Sequence, residues 1–237
     1  MQPEPSVEWL QGTVSFPLRA HWRLNRAKLP GWERLLPAWI RIHSAYTDAF
    51  VPNDRELSLY YKERPQVGFL AAAAFAAGGV ALEEWGTEKA EGYGRSDLWI
   101  RLCPQTTDED YSIEAKHRSI GFTCDNDLGW CKQIRENHYE AELSTQRVKL
   151  EGAKVAVGFA SLICNTIDQS ICKYLAKEWW APLLIPETFG KPSTPDGMAI
   201  LWLDPSSADF YGEAGGPTTV ALVITASRLS CDKPGIS

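Results

Sequence analysis

The chain has 237 residues, 44% of them hydrophobic, and a net charge of −6. That length and apolar share predict a single domain, residues 1–237, with a sizeable buried core. The acidic balance excludes a tight, sequence-independent nucleic-acid binder working over a large surface, while leaving room for a local basic stripe.

No stretch reaches membrane-spanning length. The most apolar one, residues 67–82 (VGFLAAAAFAAGGVAL), is short and interrupted by Gly78 and Gly79, so it reads as a buried helix followed by a strand. The first residues, MQPEPSVEW, lack a basic region followed by an apolar one, so no secretory signal is expected. Cys103, Cys124, Cys131, Cys164, Cys172 and Cys231 form no CxxC pair and no metal-finger spacing. The expectation is a reduced, cytoplasmic protein. Ten tryptophans suit core anchors or an interface, and less commonly base-stacking platforms.

Taken in order, residues 1–30 are rich in Pro, Trp and Arg and read as an arm or additional layer, with a short strand at 13–18. Leu35, Leu36, Trp39, Ile42, Tyr46 and Phe50 recur at helical spacing and predict a helix over 31–50, with Pro37 in its first turns. Asn53 or Asp54 is a candidate cap for a second helix through Tyr61. Pro65 suits the start of a third, and Gly78-Gly79 its stop. Residues 80–89, 97–102 and 111–117 read as three strands, and residues 127–150 as a long polar helix. The nearly continuous apolar run KVAVGFASLIC, residues 154–164, predicts a central buried strand. A helix over 165–180 and strands over 197–204 and 218–228 complete the chain.

Chemistry concentrates in residues 93–118, YGRSDLWIRLCPQTTDEDYSIEAKHR. Strand alternation puts Asp97, Trp99 and Arg101 on one face of the first run, and Glu114 and Lys116 on one face of the second. Paired as a hairpin, the two runs bring Asp97 beside Glu114, a carboxylate pair with an ammonium next to it. Such a set suits a hard divalent cation that takes oxygen ligands and keeps several waters. The bland reading is a surface hairpin whose Glu114 and Lys116 form a same-face ion pair of little energetic worth.

Asp97, then a loop, then Glu114-Ala115-Lys116 on the next strand resembles the PD-(D/E)XK nuclease superfamily. The expected order over residues 54–164 is helix, three strands, helix, strand, and it matches that family's core with the acids on the second and third strands. Ser96 departs from the pattern, standing where the family has proline. The resemblance implies a restriction-endonuclease-like α/β fold, a central mixed sheet flanked by helices. Residues 1–53 would add an N-terminal arm and helix, and residues 165–237 a helix and strands completing the sheet. It further implies that Asp97 and Glu114 bind Mg²⁺, with Mn²⁺ as substitute, that the Ala115 carbonyl completes the coordination, and that Lys116 positions the attacking water. A further helix ligand is implied, for which Glu63 and Glu56 are candidates, though each alone reads more simply as a solvated helix charge. Glu83 and Glu84 present one carboxylate to each face of the first strand.

Arg95, Arg118, Lys132 and Arg135 are candidates for contacting nucleic-acid phosphates; the default for each is a solvated face. His117 falls on the strand face opposite Lys116 and receives no catalytic role. His21, His43 and His138 have no metal spacing. The expected activity is metal-dependent phosphodiester hydrolysis, most simply a DNA endonuclease, with a homodimer compatible. The competing expectation is a nuclease-fold protein that binds without cutting. A glycosidase using Asp97 and Glu114 is a third, which needs no lysine.

Overall fold

A computed structural model describes residues 9–14, 18–54, 58–89, 92–103, 110–122, 127–149, 153–164, 194–203 and 218–229. These form an α/β structure built on one mixed, open sheet of nine strands. The strands are β1 (Trp9–Val14), β2 (Leu18–Asn25), β3 (Val80–Lys89), β4 (Gly92–Arg101), β5 (Asp110–Gly121), β6 (Val148–Lys149), β7 (Ala153–Cys164), β8 (Gly197–Leu203) and β9 (Thr218–Leu229). Their order across the sheet is β1-β2-β8-β9-β7-β5-β4-β3-β6. Only β5 and β7 run parallel; every other neighbouring pair is antiparallel. The helices are α1 (Trp32–Asp54), α2 (Glu63–Ala76) and α3 (Asp127–Gln146).

The parallel β5–β7 pair needs a crossover, which α3 supplies. From α2 to β7 the chain therefore runs helix, three antiparallel strands, helix, the two-residue β6 at the sheet edge, then the parallel strand. As the apolar run implied, β7 is central: Val155, Val157, Phe159 and Leu162 are fully buried. The two sheet faces bury alternate residues. On one face, α1 and α2 contribute Leu35, Trp39, Leu70 and Ala74 to a core shared with Leu98, Ile100, Ile113 and Ala115. On the other, Trp130 and Ile134 of α3 pack with Ile120, Leu162 and Val223.

Three sequence expectations need correction. The helix predicted over 127–150 ends at Gln146, and Val148–Lys149 form the short strand β6 on β3. The predicted strand at 13–18 is the end of one strand and the start of the next, since β1 and β2 pair antiparallel and extend the main sheet. No separate helix starts at Asn53 or Asp54, because α1 continues through Asp54. Among the described residues between α1 and α2 there is a 3-10 turn, Ser58–Tyr60. The buried Gln66 side chain donates to the carbonyls of Ser58 (2.9 Å) and Tyr61 (3.3 Å), fixing that turn against α2. The predicted helix over 165–180 and the candidate Glu56 lie outside the described residues.

Helix α2 ends as its glycines predicted. The Gly79 amide donates to Ala74 O and the Gly78 amide to Phe75 O, with Gly78 at φ 85°, which is a Schellman stop. A Cβ on Gly79 would lie 2.4 Å from the Arg101 carbonyl oxygen, so the turn into β3 packs directly on the end of β4. No helix among the described residues is long and apolar enough to cross a membrane.

Candidate active site

The site forms where the sheet opens between β4 and β5. The two strands are registered from Arg101↔Asp110 to Leu98↔Ile113, and the ladder stops there. Beyond that point, side chains replace backbone partners. The Ser96 hydroxyl donates to the Ile113 carbonyl (2.9 Å), and the Ala115 amide donates to Asp97 Oδ2 (2.7 Å). Two residues further along β5, the His117 amide donates to Glu63 Oε2 (3.1 Å). Carboxylates from β4 and from the first turn of α2 thus fill the gap that a continuing strand would occupy. On the other side of β4, the β3 register skips the Glu84–Asp97 position, where Glu84 has φ 51°. The backbone at Asp97 is irregular on both flanks.

Lys116 closes this group. Its ammonium donates to the Ala115 carbonyl at 2.9 Å. Asp97, Glu63 and Lys116 are close enough to act on one another electrostatically. Burial raises the Glu63 carboxyl above its ordinary range; the Lys116 charge opposes that rise and the Asp97 charge adds to it. Glu114 is 5% exposed, on the β5 face opposite Ile113 and Ala115, and the β4–β5 register ends one pair short of Asp97 and Glu114. Asp97 itself is half-buried.

The structure therefore brings Asp97, Glu63, Lys116 and the Ala115 backbone together, with Glu114 adjoining. Glu63 reaches the gap because Glu63 opens α2. The sequence could show a glutamate before Pro65, but not that the helix start faces the end of the β4–β5 ladder. His117 does point to the face opposite Lys116: its ring lies within hydrogen-bond reach of the Ser161 hydroxyl (2.9 Å), and burial lowers its proton affinity. Glu84 pairs with Arg64 (2.9 Å).

The four basic candidates are placed differently from one another. Arg118 is held by Glu136 (3.1 Å) and Glu140 (2.6 Å) on α3. Lys132 is 64% exposed, with Glu136 at 3.9 Å. Arg135 is 3% exposed, so as placed it offers no guanidinium to an outside phosphate; burial lowers its proton affinity. Its helical position on α3, three residues before His138, puts it on the inner face rather than the solvated one. The Arg95 side chain lies outside the described residues.

A buried polar layer under α3 was not legible in the sequence. His138, pushed down to about 3 by burial and by the charge of Arg135, is neutral. Its ring bonds the hydroxyls of Ser227 (2.8 Å) and Thr225 (3.0 Å) on β9. Asn137 donates to the carbonyls of Phe159 (2.9 Å) and Lys116 (3.4 Å). Gly158, the parallel partner of Lys116, permits this approach: a Cβ there would meet Thr225 Oγ1 at 2.7 Å and His138 Cα at 3.2 Å. Helix α3 thereby grips the strand that carries Lys116. The only sequence signal is a glycine inside an otherwise apolar strand.

On the outer face of β3 and β4, Val80 (40%) and Leu82 (46%) are exposed. Trp99 is half-buried there, with the Arg101 guanidinium 5.3 Å from its ring centre.

All donors in the gap are oxygens, which suits Mg²⁺ or Mn²⁺ rather than a soft metal. Among the described residues, no three His, Cys, Asp or Glu side chains stand close enough to hold one ion as placed. The chain matches no protein-family model, no curated protein and no solved structure.

Proposed function

We propose that this chain is a Mg²⁺-dependent phosphodiesterase of the PD-(D/E)XK kind, acting as an endonuclease on DNA. The observation that carries the reading is the gathering of Asp97 and Lys116 on the Ala115 backbone and of Glu63 on the His117 amide, at the open end of the β4–β5 ladder. The helix, three strands, helix, parallel strand order that places them adds support from a separate feature of the chain.

In this reading Asp97 and Glu114 hold Mg²⁺, joined by the Ala115 carbonyl, with Glu63 as a further oxygen donor. Bound there, Mg²⁺ would supply a water of lowered pKa and positive charge against the phosphate. Asp97 keeps its carboxylate toward the gap because the Ala115 amide orients it. Lys116 supplies a positive charge where the attacking water and the phosphate oxygens meet. The exposed face of β3 and β4 leaves room for the nucleic-acid strand, with Lys132 as the outlying phosphate contact.

The test is nicking or linearisation of plasmid DNA by the purified protein, with Mg²⁺, with Mn²⁺ and with chelator, beside Lys116→Ala. Metal-dependent cleavage that disappears in the variant is the expected result. Cleavage that persists in chelator, or in Lys116→Ala, overturns the assignment. No cleavage under any condition moves the reading to a nuclease-fold protein that binds without cutting.

A further inference from the structure

We propose that Lys116 is the resident counter-cation of this site: its ammonium holds the metal's place on the Ala115 carbonyl, and a divalent ion must displace it to bind. This rests on the metal-site reading of Asp97, Glu114 and the Ala115 carbonyl.

The argument starts from charge. Asp97 and Glu63 put two carboxylates at one sheet opening, and both already accept backbone amides there. Carboxylates gathered at a partly buried site repel one another, and a nearby cation is what keeps them ionised together. Lys116 is the cation that acts on Glu63, against the repulsion from Asp97. A lysine side chain on a strand gains by extending into water, where its three donors are solvated and its rotamers are free. This one instead folds back onto the carbonyl of the residue before it, at 2.9 Å. A carbonyl oxygen is a ligand for a hard divalent ion, and it cannot serve the ion while its outward lone pairs face the ammonium.

Displacement has a mechanistic consequence. Once the ion holds the carbonyl, the lysine is released from its own backbone toward the open face of β3 and β4, where water and phosphate arrive. The same side chain is then a counter-ion in the metal-free protein and a positioning group only after the metal has bound. An ammonium without this competition would sit outward in both states.

The test is calorimetric titration with Mn²⁺ of the wild type, Lys116→Met and Asp97→Asn. The expected result is binding about tenfold tighter or more in Lys116→Met, as removal of a unit charge beside a divalent ion implies even after screening, and loss of binding in Asp97→Asn. Equal or weaker binding by Lys116→Met, with the wild type binding normally, overturns the displacement and leaves the metal site standing. Failure of both the wild type and Lys116→Met to bind overturns the metal site as well. A second readout uses unaltered protein: the acylation rate of Lys116 by an amine-reactive ester, followed by peptide mass spectrometry with and without Mn²⁺. Release predicts a rate that rises several-fold with the ion; an unchanged or lower rate refutes it.

Discussion

Gly158→Ala tests how closely α3 packs on β7, the parallel neighbour of the strand that carries Lys116. A Cβ at this position would lie 2.7 Å from Thr225 Oγ1, 3.2 Å from Asn137 Nδ2 and 3.2 Å from His138 Cα. The first contact can be relieved only by turning a β-branched side chain that bonds both the His138 ring (3.0 Å) and the Gly158 carbonyl (3.3 Å). The third is with backbone, so α3 must recede by a few tenths of an ångström. Overpacking of this kind costs about 1–3 kcal/mol, and a lost buried hydrogen bond about 1 kcal/mol more. Gly158→Ala should therefore lose about 2–4 kcal/mol in urea denaturation, a fall of roughly 5–15 °C in Tm for a chain of this size. Thr225→Ala removes the worst contact, so the double variant should be less destabilised than the sum of the two singles. A Gly158→Ala protein within about 0.5 kcal/mol of wild type, or strict additivity in the pair, would refute the close-approach argument.

Three further outcomes follow from the site. Asp97→Asn retains an oxygen to accept the Ala115 amide, so stability should change by less than about 1 kcal/mol while metal-dependent nicking falls at least about a hundredfold; a stability loss well beyond that would make Asp97 mainly a structural residue. Glu63 has a raised pKa, so the folded state holds a proton that the unfolded chain releases first, and stability declines as pH rises from the ordinary value of 4.5 through the folded one. Glu63→Gln removes that penalty: in metal-free urea melts its advantage over wild type should be absent near pH 4 and present at pH 7, and an advantage that shrinks with pH would contradict the sign. Glu84, at φ 51°, should gain about 0.5–1 kcal/mol on replacement by glycine, because the strain relieved exceeds an exposed ion pair with Arg64; a clear destabilisation in the same denaturation assay would show that the backbone there is not strained.

The sequence by itself determined the strand and helix order from α2 to β7, apart from the short β6, and the faces of β4 and β5. These depend on local properties: apolar periodicity, a glycine stop after the alanine block, and the two-residue alternation that commits Leu98 and Ile100 inward and Asp97 and Trp99 to the other side. The pairing of the strands that carry Asp97 and Glu114 was legible for the same reason, since a hairpin register links residues close in sequence. The placement of the β1–β2 hairpin at the sheet edge was not, because β2 joins the sheet through β8, some 180 residues away. Nor was the inner face of α3, which carries Arg135, Asn137 and His138 and looks like a solvated polar helix. Only hydroxyls on β9 and the missing side chain at Gly158 make such a face stable under burial. The arrival of Glu63 at the open ladder and the folding of Lys116 onto the Ala115 carbonyl were likewise decided by tertiary structure. Both depend on distances between elements that no local pattern encodes, and they turn two ordinary surface charges into parts of one site.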